Sequence, residues 1–463
     1  MSDVVSAPAA SSASFAPVSR SERISSIDVL RGAALLGIAL MNIVFSGLPI
    51  AAGFNPNVAG GATGLNLWAF FLQYVLFDGK MRGIFSLMFG AGAYYLIARG
   101  VDRGAGVTSV ETYYRRTLWL MLFGMLHAFL IWHGDILYPY ALLGLVLFPM
   151  QSAKPKGLLI AAGVIIVLMT VGQVIMGVEI QKTHKLALEA EQLERDKKPL
   201  SEEQKKAKKD WEDQRKYFNP TAEDLKKDAE MYSGTYLNLL QKRAALVKEW
   251  HSAPFYMSGW DMFMMMLVGI AFAKLGVLSA SRPHAFYWKM LAWGYGFGIP
   301  VAAVSVWLAY KQNFEPLQTI FTFSTYQVAR AATTLGHVAA LILLCKSSQF
   351  AELRRALAAV GQTAFSNYIL HSVIYGLVFY GYGFNLYGKL QRYQLYYVVL
   401  GMWIFSLVWS PLWLARYQFG PLEWCWRSLT YWKRQPMRMV REEGVAVEPA
   451  SSEPLVQAPA ESA

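Results

Sequence analysis

Ten stretches of this chain run apolar for close to the length that a helix needs to cross a bilayer, roughly 27–48, 83–98, 117–133, 136–150, 157–178, 258–278, 287–309, 326–345, 361–381 and 394–414. A spanning helix takes about 20 mostly apolar residues. Hydrocarbon supplies no partner for a backbone N–H or C=O, so such stretches must pair their own backbone groups as helices. The expected fold is therefore all-α, a polytopic membrane helix bundle of about ten transmembrane helices. With 55% hydrophobic and only 16% charged residues, the chain is too apolar for a soluble protein of 463 residues.

Charge sets the expected orientation. Arg99, Arg103, Arg115 and Arg116, then Lys154 and Lys156, Arg282, Lys346, Arg354 and Arg355, and the basic C-terminal stretch all fall on one side if the N-terminus is inside. That is the positive-inside pattern, with both termini cytoplasmic. Counting 65–82 as another span would reverse every later loop, so this segment of the 24–178 N-terminal bundle reads as an interfacial or re-entrant helix.

The block 179–256 is rich in Lys and Glu with opposite charges four apart, a pattern of solvated helix. It is expected outside, since long loops translocate regardless of their lysines. A C-terminal bundle with an amphipathic end occupies 257–436, and the Ala/Ser- and Pro-rich ends, 1–23 and 437–463, read as disordered tails. The first residues lack a basic stretch joined to an apolar core and do not read as a cleaved signal.

The net charge of +12 is spread over short loops and the C-terminal segment, which suits anionic lipid and not nucleic acid. Cys345 and Cys425 have no metal-type spacing, and neither a disulfide nor a metal site is expected. No G-x-S-x-G, phosphate loop, dinucleotide fingerprint or H-E-x-x-H lies in a supporting context, and no permanently bound cofactor is expected.

Arg116 to Pro149 is the stretch where polar groups break into bilayer-grade sequence, with His127, His133 and Asp135. Such groups lose their water at a cost of several kcal/mol unless paired, so a His and an Asp at membrane depth mark a candidate functional site.

Asp28-Val-Leu-Arg31-Gly32 with Leu36-Gly37-Ile38 and Asn42, the run Phe85 to Gly92, and Leu126-His127 with Trp132 and Gly134-Asp135-Ile136-Leu137 form an ordered set of motifs. Ser366-Asn367-Tyr368-Ile369, Tyr380-Gly381, Tyr387-Gly388 and Phe419 to Thr430 continue it. Together they resemble the YeiB-like family of bacterial inner-membrane proteins, which carries a domain of unknown function, across most of 24–436 apart from the hydrophilic block. His371 departs from that pattern, standing where Gln is common, and His133 occupies a variable position. The resemblance implies a distant tie to the transmembrane acyltransferases, which move acyl groups from cytoplasmic acyl-CoA to acceptors, often sugars, on the far side of the membrane, using a buried His; a sugar or lipid acceptor is expected here.

Set beside that resemblance, His127 and Asp135 are the candidate catalytic pair. An imidazole changes protonation near neutral pH and can take a proton from an acceptor hydroxyl, while a carboxylate can orient its other ring nitrogen. Eight residues apart on one continuous helix the two would stand about 12 Å apart, so they meet only if the chain breaks near His133-Gly134.

Asp28 and Arg31 share one helix face, and Arg31 suits a phosphate of an acyl donor as well as it suits anchoring the helix. Asn42, Asn367 and Tyr368 could bind substrate or bond between helices. Glu423, Trp424 and Arg427 are expected in an interfacial amphipathic helix, with Glu423 and Arg427 paired four apart. The expected function is acyl transfer to an extracytoplasmic acceptor; a transporter or flippase, or an assembly or sensory protein, would use the same features.

Overall fold

The computed structural model describes residues 23–251, 259–315, 317, 319–320 and 323–439. The tails expected at 1–23 and 437–463 lie almost wholly outside the described residues, as do 252–256 of the hydrophilic block. The described chain is helical, with no β-strand among its described residues.

The N-terminal half holds α1 (Ser25–Gly47), α2 (Gly64–Leu72), α3 (Lys80–Asp102), α4 (Gly106–Leu130) and α5 (Leu137–Leu147). Between α2 and α3 the segment 65–82 is not one helix: Gln73–Phe77 widens into a π turn, and the chain bends at Asp78-Gly79 before α3 begins.

Next comes α6 (Pro155–Arg195), 41 residues or about 60 Å long at 1.5 Å per residue. Its apolar half faces outward through Val164, Val167, Leu168, Val171 and Ile175, so it stands at the rim of the bundle. Its charged half continues without a break into the hydrophilic block, where α7 (Glu202–Phe218) folds back on it. Capping boxes at Ser201/Gln204 and Thr221/Asp224 start α7 and α8 (Ala222–Tyr232), and α9 (Tyr236–Trp250) follows.

The C-terminal half adds α10 (Trp260–Lys274), α11 (His284–Lys311), α12 (Tyr326–Lys346), α13 (Ala351–Gln362), α14 (Ala364–Phe379), α15 (Arg392–Leu414) and the short α16 (Pro421–Thr430). Helices occupy all ten places where spans are expected, which makes the protein a polytopic membrane helix bundle. Among the described residues, six helical stretches, with Gly64–Asp102 taken as one, are long and apolar enough to cross a membrane. The other four places hold helices of 25, 11, 15 and 16 residues (α4, α5, α10 and α14).

The main core forms where α1, α3, α10 and α12 meet, through Leu30, Ala34, Ile84, Leu87, Met264 and Val338. One end of the bundle carries Arg23, Arg31, Arg99, Arg116 and Arg427 around a cavity; the opposite end is covered by α8 and α9.

Candidate functional site

α4 stops at Leu130 because the chain turns: the amides of Ile131 and Trp132 both donate to the His127 carbonyl. The six residues 131–136 then fold back along α4 before α5 begins. Gly124 makes room for this return, since a Cβ there would lie 2.3 Å from the Tyr138 nitrogen and 2.9 Å from Asp135 Oδ2. The turn brings Asp135 Oδ1 to 2.7 Å from His127 Nδ1, both side chains being almost fully buried. The break near His133-Gly134 that their meeting requires is therefore present.

Asp135 Oδ2 accepts the amide of Tyr138, 2.7 Å away, and so also caps the start of α5. A carboxylate can only accept, so Nδ1 donates to it, and in the neutral imidazole Nε2 keeps its lone pair. Nε2 is buried with no hydrogen-bond partner among the described residues. Tyr368 packs its ring 5.0 Å from the imidazole, and its hydroxyl accepts the Ile136 amide at 3.3 Å. The pair is thereby held on three sides by α4, α5 and α14.

The remaining candidates divide. Asn367 points elsewhere, donating to Thr363 at 2.9 Å and to Ser410 at 3.0 Å, a link between α14 and α15. Asn42 is half-buried and does not line the cavity. Asp28 and Arg31 are joined at 3.1 Å, Arg31 also reaches the Gly361 carbonyl, and both line the cavity at the arginine end.

Glu423 corrects the sequence reading. It is buried and not paired with Arg427, and its carboxylate accepts the amides of Phe365 and Ser366 and the Ser366 hydroxyl at 2.6, 3.1 and 2.5 Å. The unpaired first-turn donors of α14 claim it in place of Arg427. Burial pushes this carboxyl up against the pull of those same donors. Arg427 instead lies 4.8 Å above the Phe419 ring and faces the cavity, while Trp424 donates to the Gln435 carbonyl.

The cavity measures about 430 Å³. Its walls carry five arginines, Arg23, Arg31, Arg99, Arg116 and Arg427, against three carboxylates, Asp28, Asp102 and Glu423. Arg116 is stacked 4.6 Å over Trp426, and Trp426 donates to the Arg116 carbonyl. Deeper in, the lining turns apolar through Phe85, Leu120 and Leu137, with Tyr140 alongside. Leu137 follows Asp135 by two residues, and Leu120 precedes His127 by two turns of α4. The lining thus includes close chain neighbours of both members of the pair, whose own side chains do not line it.

Sequence reasoning missed three features. Arg99 and Arg116 read as loop charges, yet they line the cavity. Arg243, inside a Lys/Glu-rich block, is 2% exposed and donates to the Phe129 and Leu130 carbonyls at the end of α4. Asp261 on α10 pairs with Arg82 at 2.6 Å and Arg330 at 3.4 Å, Asp261 and Arg330 being buried and Arg82 partly exposed. That network touches Tyr140, which bonds Ser86 at 2.9 Å and the Arg82 carbonyl at 3.2 Å. Isolated ionisable residues within apolar helices were the available signal for Asp261, Arg82 and Arg330.

Residues 272–433 match the family described as "Protein of unknown function (DUF418)". The chain is 28% identical over 449 residues to "Uncharacterized protein YxaH" of Bacillus subtilis (strain 168), covering 92% of this chain and 98% of that protein. It is 28% identical over 418 residues to "Uncharacterized protein YeiB" of Escherichia coli (strain K12), covering 88% and 96%. A third relative, "Uncharacterized 39.9 kDa protein in amylase 3'region" of Bacillus acidopullulyticus, is 24% identical over 429 residues, covering 92% and 99%. No solved structure matches the chain.

Proposed function

For this polytopic helical protein of the YeiB-like family, of unknown function, we propose acyl transfer from a cytoplasmic thioester donor, such as acyl-CoA, to an acceptor on the far side of the inner membrane. The observation that carries the reading is the buried His127–Asp135 pair, whose Nε2 has no partner among the described residues, in a bundle that also holds an arginine-walled cavity lined by the pair's chain neighbours Leu120 and Leu137. In this reading the arginine end and both termini are cytoplasmic, and the 179–256 block is extracytoplasmic.

The arginines suit the phosphates of such a donor, because a guanidinium stays charged and offers a planar fork of donors. The apolar inner wall suits an acyl chain or the arm that carries it. His127 would take the proton of the acceptor, and Asp135 would hold the imidazole in the tautomer that leaves Nε2 free. Tyr368 packs the ring in place, and Asp28 orients Arg31.

The Arg82–Asp261–Arg330 network, with Asp261 and Arg330 buried, favours a second reading, a carrier that uses these groups as a relay or binding site. One experiment separates the two. Purified protein in detergent is given acetyl-CoA, and release of free thiol is followed beside His127→Ala. Thiol release that His127→Ala abolishes supports transfer. Solute flux in proteoliposomes without thioester consumption moves the assignment to a carrier.

A further inference from the structure

The lining of the cavity changes in character along α3. Arg99, Tyr95, Gly92, Phe89 and Phe85 line it at one residue per turn, so the groove follows this helix for about 21 Å at 1.5 Å per residue. At the arginine end the guanidiniums of Arg116 and Arg427 lie over the rings of Trp426 and Phe419 and make no hydrogen bond or ion pair among the described residues. Tyr95 stands one turn inward, and Gln362 follows the Gly361 that Arg31 touches; neither side chain has a hydrogen-bond partner among the described residues. At the inner end the Tyr140 hydroxyl is spent on Ser86 and the Arg82 carbonyl, and Phe89 and Phe85 add only hydrocarbon. Phe85 is the last residue of α3 in the lining at that end, its ring stacked 5.9 Å from that of Tyr140. Midway, a Cβ on Gly92 would meet nothing within 4 Å among the described residues, whereas one on Gly90 would lie 2.1 Å from the Met266 carbonyl oxygen. A glycine weakens a helix unless close approach requires it, so what the bare backbone at 92 provides is an open groove.

We infer that the donor of the transfer carries a short acyl group, of about four carbons at most, and that Phe85 is the specificity-determining residue that sets this limit. The inference rests on the acyl-transfer reading and names the acyl group of its donor. The groove runs from cations through free hydrogen-bonding groups to hydrocarbon, the order of phosphate, amide-bearing arm and acyl group in an acyl-CoA. The arm from phosphorus to sulfur is about 13 bonds long, equivalent to a little over four extended residues, or ~15 Å. Measured from the level of Arg99, that leaves roughly 6 Å before Phe85, about five further bonds. A longer chain would have to displace a ring that Tyr140 backs.

The test measures the affinity of the full chain in detergent for CoA, acetyl-CoA, butyryl-CoA and octanoyl-CoA by isothermal titration, with thiol release followed alongside. The inference expects acetyl- and butyryl-CoA to bind no more weakly than CoA, and octanoyl-CoA to bind at least about tenfold more weakly than butyryl-CoA. Phe85→Ala should bring octanoyl-CoA to within a few-fold of butyryl-CoA and leave CoA affinity unchanged. Gly92→Leu, which fills the zone of the arm, should weaken all four ligands alike. Octanoyl-CoA bound by wild type as tightly as butyryl-CoA, an unaltered preference in Phe85→Ala, or CoA affinity unaltered in Gly92→Leu overturns the inference while leaving the acyl-transfer reading standing. If Phe85→Ala does not fold, Phe85→Leu tests the same direction, and the order of affinities in wild type decides alone if neither folds. If wild type binds none of the four, the acyl-transfer reading and this inference both fail.

Discussion

Gly32 on α1 and Gly361 on α13 meet backbone to backbone: a Cβ on the first would lie 2.0 Å from the Leu357 carbonyl oxygen, and on the second 1.9 Å from that of Asp28. This crossing puts Arg31 within 3.3 Å of the Gly361 carbonyl and so builds one wall of the cavity. Close helix approach through small residues is a main source of cohesion where no hydrophobic effect separates helix from lipid. Because the clashing atoms are backbone, neither helix can yield locally. Gly32→Ala and Gly361→Ala should each cost about 1–3 kcal/mol, read as a lower melting temperature in detergent. Gly401→Ala, whose Cβ would meet nothing within 4 Å among the described residues, should melt at or slightly above wild type.

Asp135→Asn separates the two tasks of that side chain. An amide still accepts the Tyr138 N–H and keeps α5 capped, but it can donate to Nδ1 and so favour the tautomer that protonates Nε2. If His127 is the base, turnover should fall by about 10³–10⁴-fold, the scale seen when a catalytic His is left in the wrong tautomer. Acetyl-CoA affinity and melting temperature should change little. Thiol release and binding, measured on the same preparation, check this; full activity would remove the pair from the chemistry.

The parts of this architecture legible in the sequence are those set by local pattern. Apolar runs gave the helices, and the spacing of Asp28 and Arg31 gave a pair on one face. What was not legible came from chain reversal and tertiary competition. An eight-residue spacing cannot show that 131–136 returns Asp135 to His127; the room for it comes from Gly124, whose small size has no periodic signature. The i to i+4 pattern in α16 suggested a Glu423–Arg427 pair, but the amides at the start of α14 compete only once that helix is docked. Charge bias counts arginines near a membrane face without indicating which of them turn inward, so Arg99 and Arg116 were hidden in plain composition.

Arg31→Ala and Arg116→Ala should each weaken acetyl-CoA binding by about tenfold or more, with the loss smaller at high salt as screening weakens the remaining contacts. Arg116→Lys should recover only part of it, because an ammonium lacks both the planar stacking on Trp426 and the forked donors. Isothermal titration at two salt concentrations reads this. Unchanged affinity in both alanine variants would show that the donor does not use this cavity.

The hydrophilic block docks through Asp228, whose Oδ2 accepts the Tyr387 hydroxyl at 2.5 Å while Tyr232 stacks 4.2 Å from Tyr387. Burial raises the Asp228 carboxyl above its ordinary value, opposed by the Tyr387 hydrogen bond. A carboxyl raised in the folded state holds its proton more tightly there. Its contribution is therefore fully present below the ordinary value of about 4 and is lost as pH rises through the raised folded value. Docking of α8 should loosen with rising pH across that window, and Asp228→Asn, which keeps an acceptor for Tyr387, should flatten the dependence. Hydrogen exchange of 222–250 against pH tests it; identical profiles for the two proteins would exclude Asp228 as the cause.

Arg243 fixes the same block over the far end of the site. Its guanidinium donates to Phe129 and Leu130, and Tyr236, whose hydroxyl bonds the Leu130 carbonyl at 2.8 Å, lies beneath it. The last carbonyls of a helix have no partners within it and carry its negative pole, so a cation there is worth up to about 2 kcal/mol. Arg243→Met keeps much of the apolar stem and removes both the charge and the donors. It should free the last turn of α4, three residues beyond His127, and raise hydrogen exchange at 128–132 together with that of α9. If acyl transfer occurs at His127, turnover should fall in the same variant while acetyl-CoA affinity stays, because the disturbance is at the opposite end from the arginine-walled cavity. Unchanged exchange at 128–132 would mean that the turn is held by its own bonds to the His127 carbonyl and that Arg243 serves only to seat α9.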